Sequence, residues 1–327
     1  MIKQVSNRIR RIFFITGLIF AVRMPAYSFP KLLSIKYIKF QSMLRSLPDT
    51  GNNETLLSID KPVLISDQFS FTEGPAVDKE GNVFFTDQPN NKIWKYDVKG
   101  KLTLFMDNAK RSNGLFFDAK GNIVSCADEQ NQLVSIDRFG KKIMVLTNKF
   151  EGGNFNGPND VWVNHHNGNI YFTDPYYKRD YWPKDHTHIE EQRVYLLPKG
   201  KKNAVIADSS LKKPNGIVGS ANGKLLFVAD IEGSKIYKFD IAEEGKLTNK
   251  TVFVNQGSDG MTLDNQGNLY LCGKGVTVYN SKGKQIQHFN IPEDWTANVC
   301  FGGKNNNILF ITASKSIYII HMKVKGI

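Results

Sequence analysis

What this chain lacks narrows its chemistry. Its 327 residues include three cysteines and six histidines. Cys126, Cys272 and Cys300 lie in or beside apolar stretches, an odd count that reads as buried free thiols with at most one disulfide. No Gly-x-Ser-x-Gly elbow is present, which argues against a serine hydrolase. No glycine-rich phosphate loop opens a helix. His186 and His188 have the spacing of two metal ligands, but no cysteine or further histidine lies nearby in sequence to complete a zinc site. His165 and His166 fall at a turn tip and read as solvated. The formal net charge is +12, yet no contiguous basic face with interleaved aromatics is visible. Many cations sit in Lys-Gly turns such as Lys99-Gly100-Lys101 and Lys199-Gly200-Lys201-Lys202, so no nucleic-acid partner is expected.

The N-terminus is a separate segment. Lys3, Arg8, Arg10 and Arg11 precede an apolar run from Ile12 to Val22, which is too short for a comfortable transmembrane helix and has the length of a signal-peptide core. Ala26-Tyr27-Ser28 supplies a small-x-small cleavage pattern, whereas Arg23 directly after the run leaves an uncleaved anchor as the alternative. Residues 1–28 are therefore expected to export the chain to the periplasm or beyond, with any membrane contact confined to this segment. Residues 29–55 read as an extension and linker, and residues 56–327 as the folded region.

What is present is a repeat. Glu73, Asn113, Asn159, Asn215, Asp259 and Asn298 each precede a hydrophobic strand that leads into a tight turn, mostly glycine-bearing, and then a second strand such as Val83–Asp87 or Ile170–Asp174. A third strand follows each time, Lys92–Tyr96 and Lys235–Phe239 among them, and a fourth, weaker one in most. A unit of about forty residues built from short strands and turns is the signature of a β-propeller. Six units of four antiparallel strands predict an all-β, six-bladed propeller. The last unit stops after about three strands, and Pro62–Ile65 is the candidate to complete it and close the ring.

Equivalent positions of a propeller's blades converge at one mouth of its channel. That places two carboxylates and four carboxamides around one spot, an all-oxygen set suited to calcium, magnesium or manganese. Asn-Gly and Asp-Gly are also common turn dipeptides, so any single member could be turn chemistry alone. Glu73, a poor turn former, argues that the set as a whole is a site.

Phe71-Thr72-Glu73-Gly74-Pro75, Asn156-Gly157-Pro158-Asn159-Asp160, Pro214-Asn215-Gly216-Ile217 and Ser258-Asp259-Gly260-Met261 resemble the regucalcin/gluconolactonase family of six-bladed propellers. The run Tyr171-Phe172-Thr173-Asp174-Pro175 resembles its bacterial lactonase branch. The resemblance implies a divalent metal, calcium first and Mg2+, Mn2+ or Zn2+ otherwise, on Glu73, Asn215 and Asp259, with Asn159 as a fourth ligand or a substrate contact. It implies hydrolysis of a sugar lactone, a small-molecule substrate. In that reaction Asp259 acts as the base or only positions a water made acidic by the metal. Asn113, Asn298 and Asp174 are expected on the substrate, the two asparagines alternatively as turn supports. One departure stands out: the family's animal members carry an arginine where this chain has Gly157. The insertion from Tyr176 to Gln192, rich in aromatic and basic residues, either compensates or is a plain surface loop. Two other functions share these features: an organophosphate or aryl-ester hydrolase on the same metal site, and a ligand-binding propeller without turnover.

Overall fold

In the computed structural model, residues 57–182, 189 and 191–327 are described. The expectations for residues 1–55, and those for His186 and His188, lie outside them. Among the described residues there are six four-stranded antiparallel sheets and one two-stranded ribbon, Lys149–Phe150 with Gly153–Asn154. Five of the six sheets run from an innermost to an outermost strand in chain order. Blade 1 comprises Thr72–Val77, Val83–Asp87, Lys92–Tyr96 and Leu102–Asp107, and blades 2 to 5 repeat the order. Blade 6 has Thr296–Gly302, Ile308–Ala313 and Ser316–His321, and its fourth strand is Val63–Ser66, paired antiparallel to Ser316–His321 with Val63 opposite Ile319. The architecture is the six-bladed propeller expected.

The second strand of each blade explains the packing. Val83-Phe84-Phe85-Thr86-Asp87 is buried throughout, because both faces of the sheet are covered. Alternation then sends Phe84 toward blade 2, with Leu115 and Ile123, while Val83 and Phe85 meet Cys300 and Phe310 of blade 6. Six such apolar clusters occupy the six interfaces, blade 6 against blade 1 included. All three cysteines are buried free thiols, as expected.

The repeated spacing has a local cause other than turn geometry. Glu73, Asn113, Asn215 and Asn298 lie within the innermost strands, and Asn159 and Asp259 stand two residues before theirs. In blades 1, 2, 4 and 6 the pairing of the innermost strand slips at this point, between Glu73 and Ala76 for example, a bulge that re-aims the side chain. The glycine that follows serves blade-to-blade contact. A Cβ on Gly74 would sit 1.9 Å from the Asn113 carbonyl oxygen, one on Gly216 2.2 Å from that of Asp259, and one on Gly260 1.8 Å from the Asn298 Cγ. Each of these glycines therefore lets the next blade's site residue approach closely, through its backbone beside Gly74 and Gly216 and through its side chain beside Gly260.

Candidate metal and active site

Five of the six ring residues meet in one cavity. A pocket of about 450 Å³ is lined by Glu73, Asn113, Asn159, Asn215 and Asp259, with Phe71, Pro89, Ile231 and Trp295 as apolar walls and Gln88, Tyr177 and Arg179 at its polar side. Glu73, Asn113, Asn159 and Asn215 are buried, so their orientation is set by protein contacts. Glu73 Oε2 accepts hydrogen bonds from the Gly74 amide at 2.7 Å and from Asn298 Nδ2 at 3.3 Å. Asn113 Nδ2 donates to the Asn159 carbonyl at 3.1 Å, linking blades 2 and 3. Asn215 Nδ2 donates to the Tyr177 hydroxyl at 3.0 Å. Trp295 Nε1 donates to Asp259 Oδ2 at 2.6 Å.

The sixth ring residue does something else. Asn298 lines a separate cavity of about 160 Å³, gives its Nδ2 to Glu73 and accepts from the Val299 amide at 2.8 Å. Its placement supports Glu73 and does not put it on the wall of the 450 Å³ pocket. Asp174 also lies apart from that pocket. It is fully buried, and its two carboxylate oxygens accept the backbone amides of Asn156 at 2.9 Å and Gly157 at 2.8 Å. No surface is left for a substrate contact, so the expectation for Asp174 gives way to a positioning role.

That role recurs. Asp87 Oδ1 accepts the amides of Ser70 and Phe71, and Asp230 accepts those of Lys212 and Lys213. In each case the clamped pair starts three residues before a site residue, namely Glu73, Asn159 or Asn215. The aspartate that ends the second strand thus fixes the chain entering the innermost strand. Blade 5 uses Ser258 instead, whose hydroxyl bonds both the amide and the carbonyl of Cys272.

Blade 2 turns its aspartate to another purpose. Asp128 is buried, and Oδ2 accepts from Gln88 Nε2 at 3.1 Å, Arg179 Nε at 2.6 Å and the Tyr181 hydroxyl at 2.6 Å. Trp182 Nε1 donates to its backbone carbonyl at 2.9 Å. Residues 177–182 of the blade 3 insertion are therefore moored across blade 2, with Tyr177 and Arg179 in the pocket. The insertion is not a plain surface loop over this part of its length. Asp128 and Trp295 carried no signal in the sequence read residue by residue. Asp128 could have been found by aligning strand ends, where it falls one place after Ala127 and beside the Asp87, Asp174 and Asp230 series.

The electrostatics favour a cation. Burial, and next the negative charge of Asp259, push the Glu73 carboxyl well above the usual carboxylate range. Burial likewise raises Asp259 to about 6, against the pull of the Trp295 and Asn215 hydrogen bonds. Asp160, buried beside this group, is raised to about 7 by burial, while its oxygens accept the Val161 and Ile217 amides. Two desolvated carboxylates facing one cavity are costly as bare anions, and a dication among them would relieve that cost. Among the described residues no three His, Cys, Asp or Glu side chains are placed to hold a metal. The donor set is instead two carboxylates supplemented by carboxamides, all oxygen, which fits a hard dication and not a zinc-type centre.

Comparison with known proteins gives a consistent answer. A family model described as "SMP-30/Gluconolactonase/LRE-like region" matches residues 71–315. A gluconolactonase of Zymomonas mobilis is 26% identical over 307 residues, covering 84% of this chain and 85% of its own length. A solved gluconolactonase structure from Xanthomonas campestris superposes with a TM-score of 0.73 at 26% identity, covering 80% of this chain and 89% of that one. A diisopropyl-fluorophosphatase of Loligo vulgaris is 23% identical over 278 residues, covering 76% and 87% of the two chains.

Proposed function

This chain belongs to the SMP-30/gluconolactonase/LRE-like family, and we propose that it is a divalent-metal-dependent hydrolase of sugar lactones. The observation that carries the proposal is the convergence of Glu73, Asn159, Asn215 and Asp259 on one pocket of about 450 Å³, a size suited to a small ligand. These four residues would hold the ion, with calcium the first expectation for such oxygen ligands. When bound, the ion would polarise the ester carbonyl and offset the charge that develops there.

The chain's own residues do the rest. Asp259 presents one oxygen to Trp295, which fixes the carboxylate plane and leaves the other oxygen to orient a water or take its proton. Asn113, on the pocket wall, offers an amide to substrate hydroxyls. Phe71, Pro89 and Ile231 give the substrate apolar walls to pack on, and Tyr177 covers the Asn215 side.

The test is turnover of a panel of aldonolactones by protein stripped of metal and then resupplied with calcium, magnesium, manganese or zinc. Hydrolysis restored by one of these ions supports the proposal, and its absence with every ion and every lactone overturns it. A second reading, hydrolysis of a fluorophosphate ester on the same residues, is favoured by the similarity to the Loligo enzyme. Faster turnover of diisopropyl fluorophosphate than of any lactone would select it.

A further inference from the structure

We propose that Arg179 makes this pocket selective for lactones that carry a free carboxylate away from the scissile ester, that is, lactones of sugar diacids or uronic acids. The inference rests on the lactone-hydrolase reading and adds the class of substrate. It starts from the uneven charge of the cavity. Glu73 and Asp259 are the carboxylates on its wall, and Arg179 is the one cation among the described residues that line it. Arg179 reaches the cavity from the insertion in blade 3, at a place the ring of repeated residues does not occupy.

The guanidinium is built in. Its Nε is 2.6 Å from Asp128 Oδ2, and the Asp128 side chain is only 3% exposed. Gln88 and Tyr181 bond the same oxygen, and Trp182 bonds the Asp128 carbonyl, so the mooring draws on blade 1, blade 2 and the insertion. Tyr177 lies alongside, its ring centroid 5.7 Å from the Arg179 Cζ and 4.0 Å from Lys213 Nζ. Arg111 stacks on the Tyr181 ring at 4.3 Å. Asp180, the acidic residue within this segment, is exposed to solvent.

With Nε committed to Asp128, the two terminal nitrogens of Arg179 make no hydrogen bond among the described residues. The side chain is 26% exposed, so those nitrogens have room for a ligand. A guanidinium fixed at one edge and open at the other is preorganised for bidentate pairing with a carboxylate. A hydroxyl of a neutral sugar can take only one of those bonds and carries no charge. The part of the substrate that meets Arg179 is therefore the acidic end, while the ester meets Asp259 and the residues around it. Lys213 and Arg111 flank the same side and add a basic fringe that favours an anion approaching from it.

The experiment compares galactono-1,4-lactone with galactaro-1,4-lactone, which share the ring and differ in the terminal carboxylate. Metal-replete wild type, Arg179→Met and Arg179→Lys are assayed at low and high salt. Wild type is expected to favour the acidic lactone by about tenfold in kcat/KM. Arg179→Met should lose about 30-fold more on the acidic lactone than on the neutral one, the difference carried by KM, in line with one charged hydrogen-bonding partner. Arg179→Lys should recover part of the loss, and only the acidic lactone's KM should rise with salt. Equal losses on both lactones, or no acid preference in wild type, would overturn the proposal. Turnover of neither lactone would instead sink the hydrolase reading. Calorimetric binding of open-chain galactarate then decides the subsite alone: loss in Arg179→Met supports it, and equal binding overturns it.

Discussion

Trp295 Nε1 lies 2.6 Å from Asp259 Oδ2, a hydrogen bond from the approach to blade 6 to the site residue of blade 5. In the proposed mechanism this bond orients the carboxylate that acts on the attacking water. Replacing the indole by a ring without a donor should therefore disturb orientation more than binding. Trp295→Phe is expected to lower kcat about tenfold with KM changed by less than about threefold, the scale of one charge-assisted hydrogen bond. Steady-state lactone kinetics check this, and a change confined to KM would go against it.

The glycines beside the ring residues give a stability prediction with an internal control. Gly74 has φ +48°, and a Cβ there would press on the Asn113 carbonyl oxygen at 1.9 Å. Gly121 has φ +82° with nothing within 4 Å of such a Cβ. Gly121→Ala should therefore cost only the left-handed backbone, about 1 kcal/mol, whereas Gly74→Ala should cost about 3 kcal/mol or more through overpacking. Urea denaturation of the two variants should show that order, and equal losses would remove the close-approach explanation.

Asp128 moors the insertion, so its loss should free that segment. In Asp128→Ala, Arg179, Gln88 and Tyr181 lose a shared acceptor, and a buried charge partner of this kind is worth about 3–5 kcal/mol locally. Trypsin, which cleaves after Lys178 and Arg179, should cut the variant there at least about tenfold faster than wild type, with the propeller otherwise intact. Unchanged cleavage would mean that other contacts hold the segment.

Asp174 predicts a pH dependence. Burial pushes its carboxyl up to about 7, against the two amide hydrogen bonds and the nearby Arg193. A carboxyl with a folded pKa above its unfolded value binds its proton more tightly when folded. Its contribution to stability is full below about pH 4 and is lost as pH rises through 7. Wild type should lose stability between pH 5 and 7 with an extra slope of up to about 1.4 kcal/mol per pH unit relative to Asp174→Asn. Chemical denaturation at pH 5, 6, 7 and 8 checks the difference in slope. Parallel curves would show that the buried group stays ionised throughout.

The blades were legible because their cause is periodic. A strand such as Ile170–Asp174, covered on both faces, is apolar over most of its length, and the turn after each innermost strand is tight. The ring residues were legible for the same reason, being copies of one position. Their local geometry was not: Asn113 and Asn215 sit at bulges inside strands, a feature that an Asn-Gly pair shares in writing with a hairpin turn. Asp174 was misplaced because its aspartate looks like a site residue, while its partners, two backbone amides, have no side-chain signature. Trp295, Asp128 and Arg179 each occur once, outside the repeat, and their roles depend on how loops fold over the mouth. Contacts between non-equivalent loops leave no period to read.

The most direct test of the account uses the metal-stripped protein and titrates calcium while following both binding heat and lactone hydrolysis, in wild type, Glu73→Gln and Asp259→Asn. The account predicts that activity returns in step with one tight equivalent of ion. It also predicts that either substitution lowers turnover by at least about 100-fold, as loss of a group acting at the reacting centre does. Full hydrolysis by the stripped wild-type protein, or full activity in both variants, would contradict it.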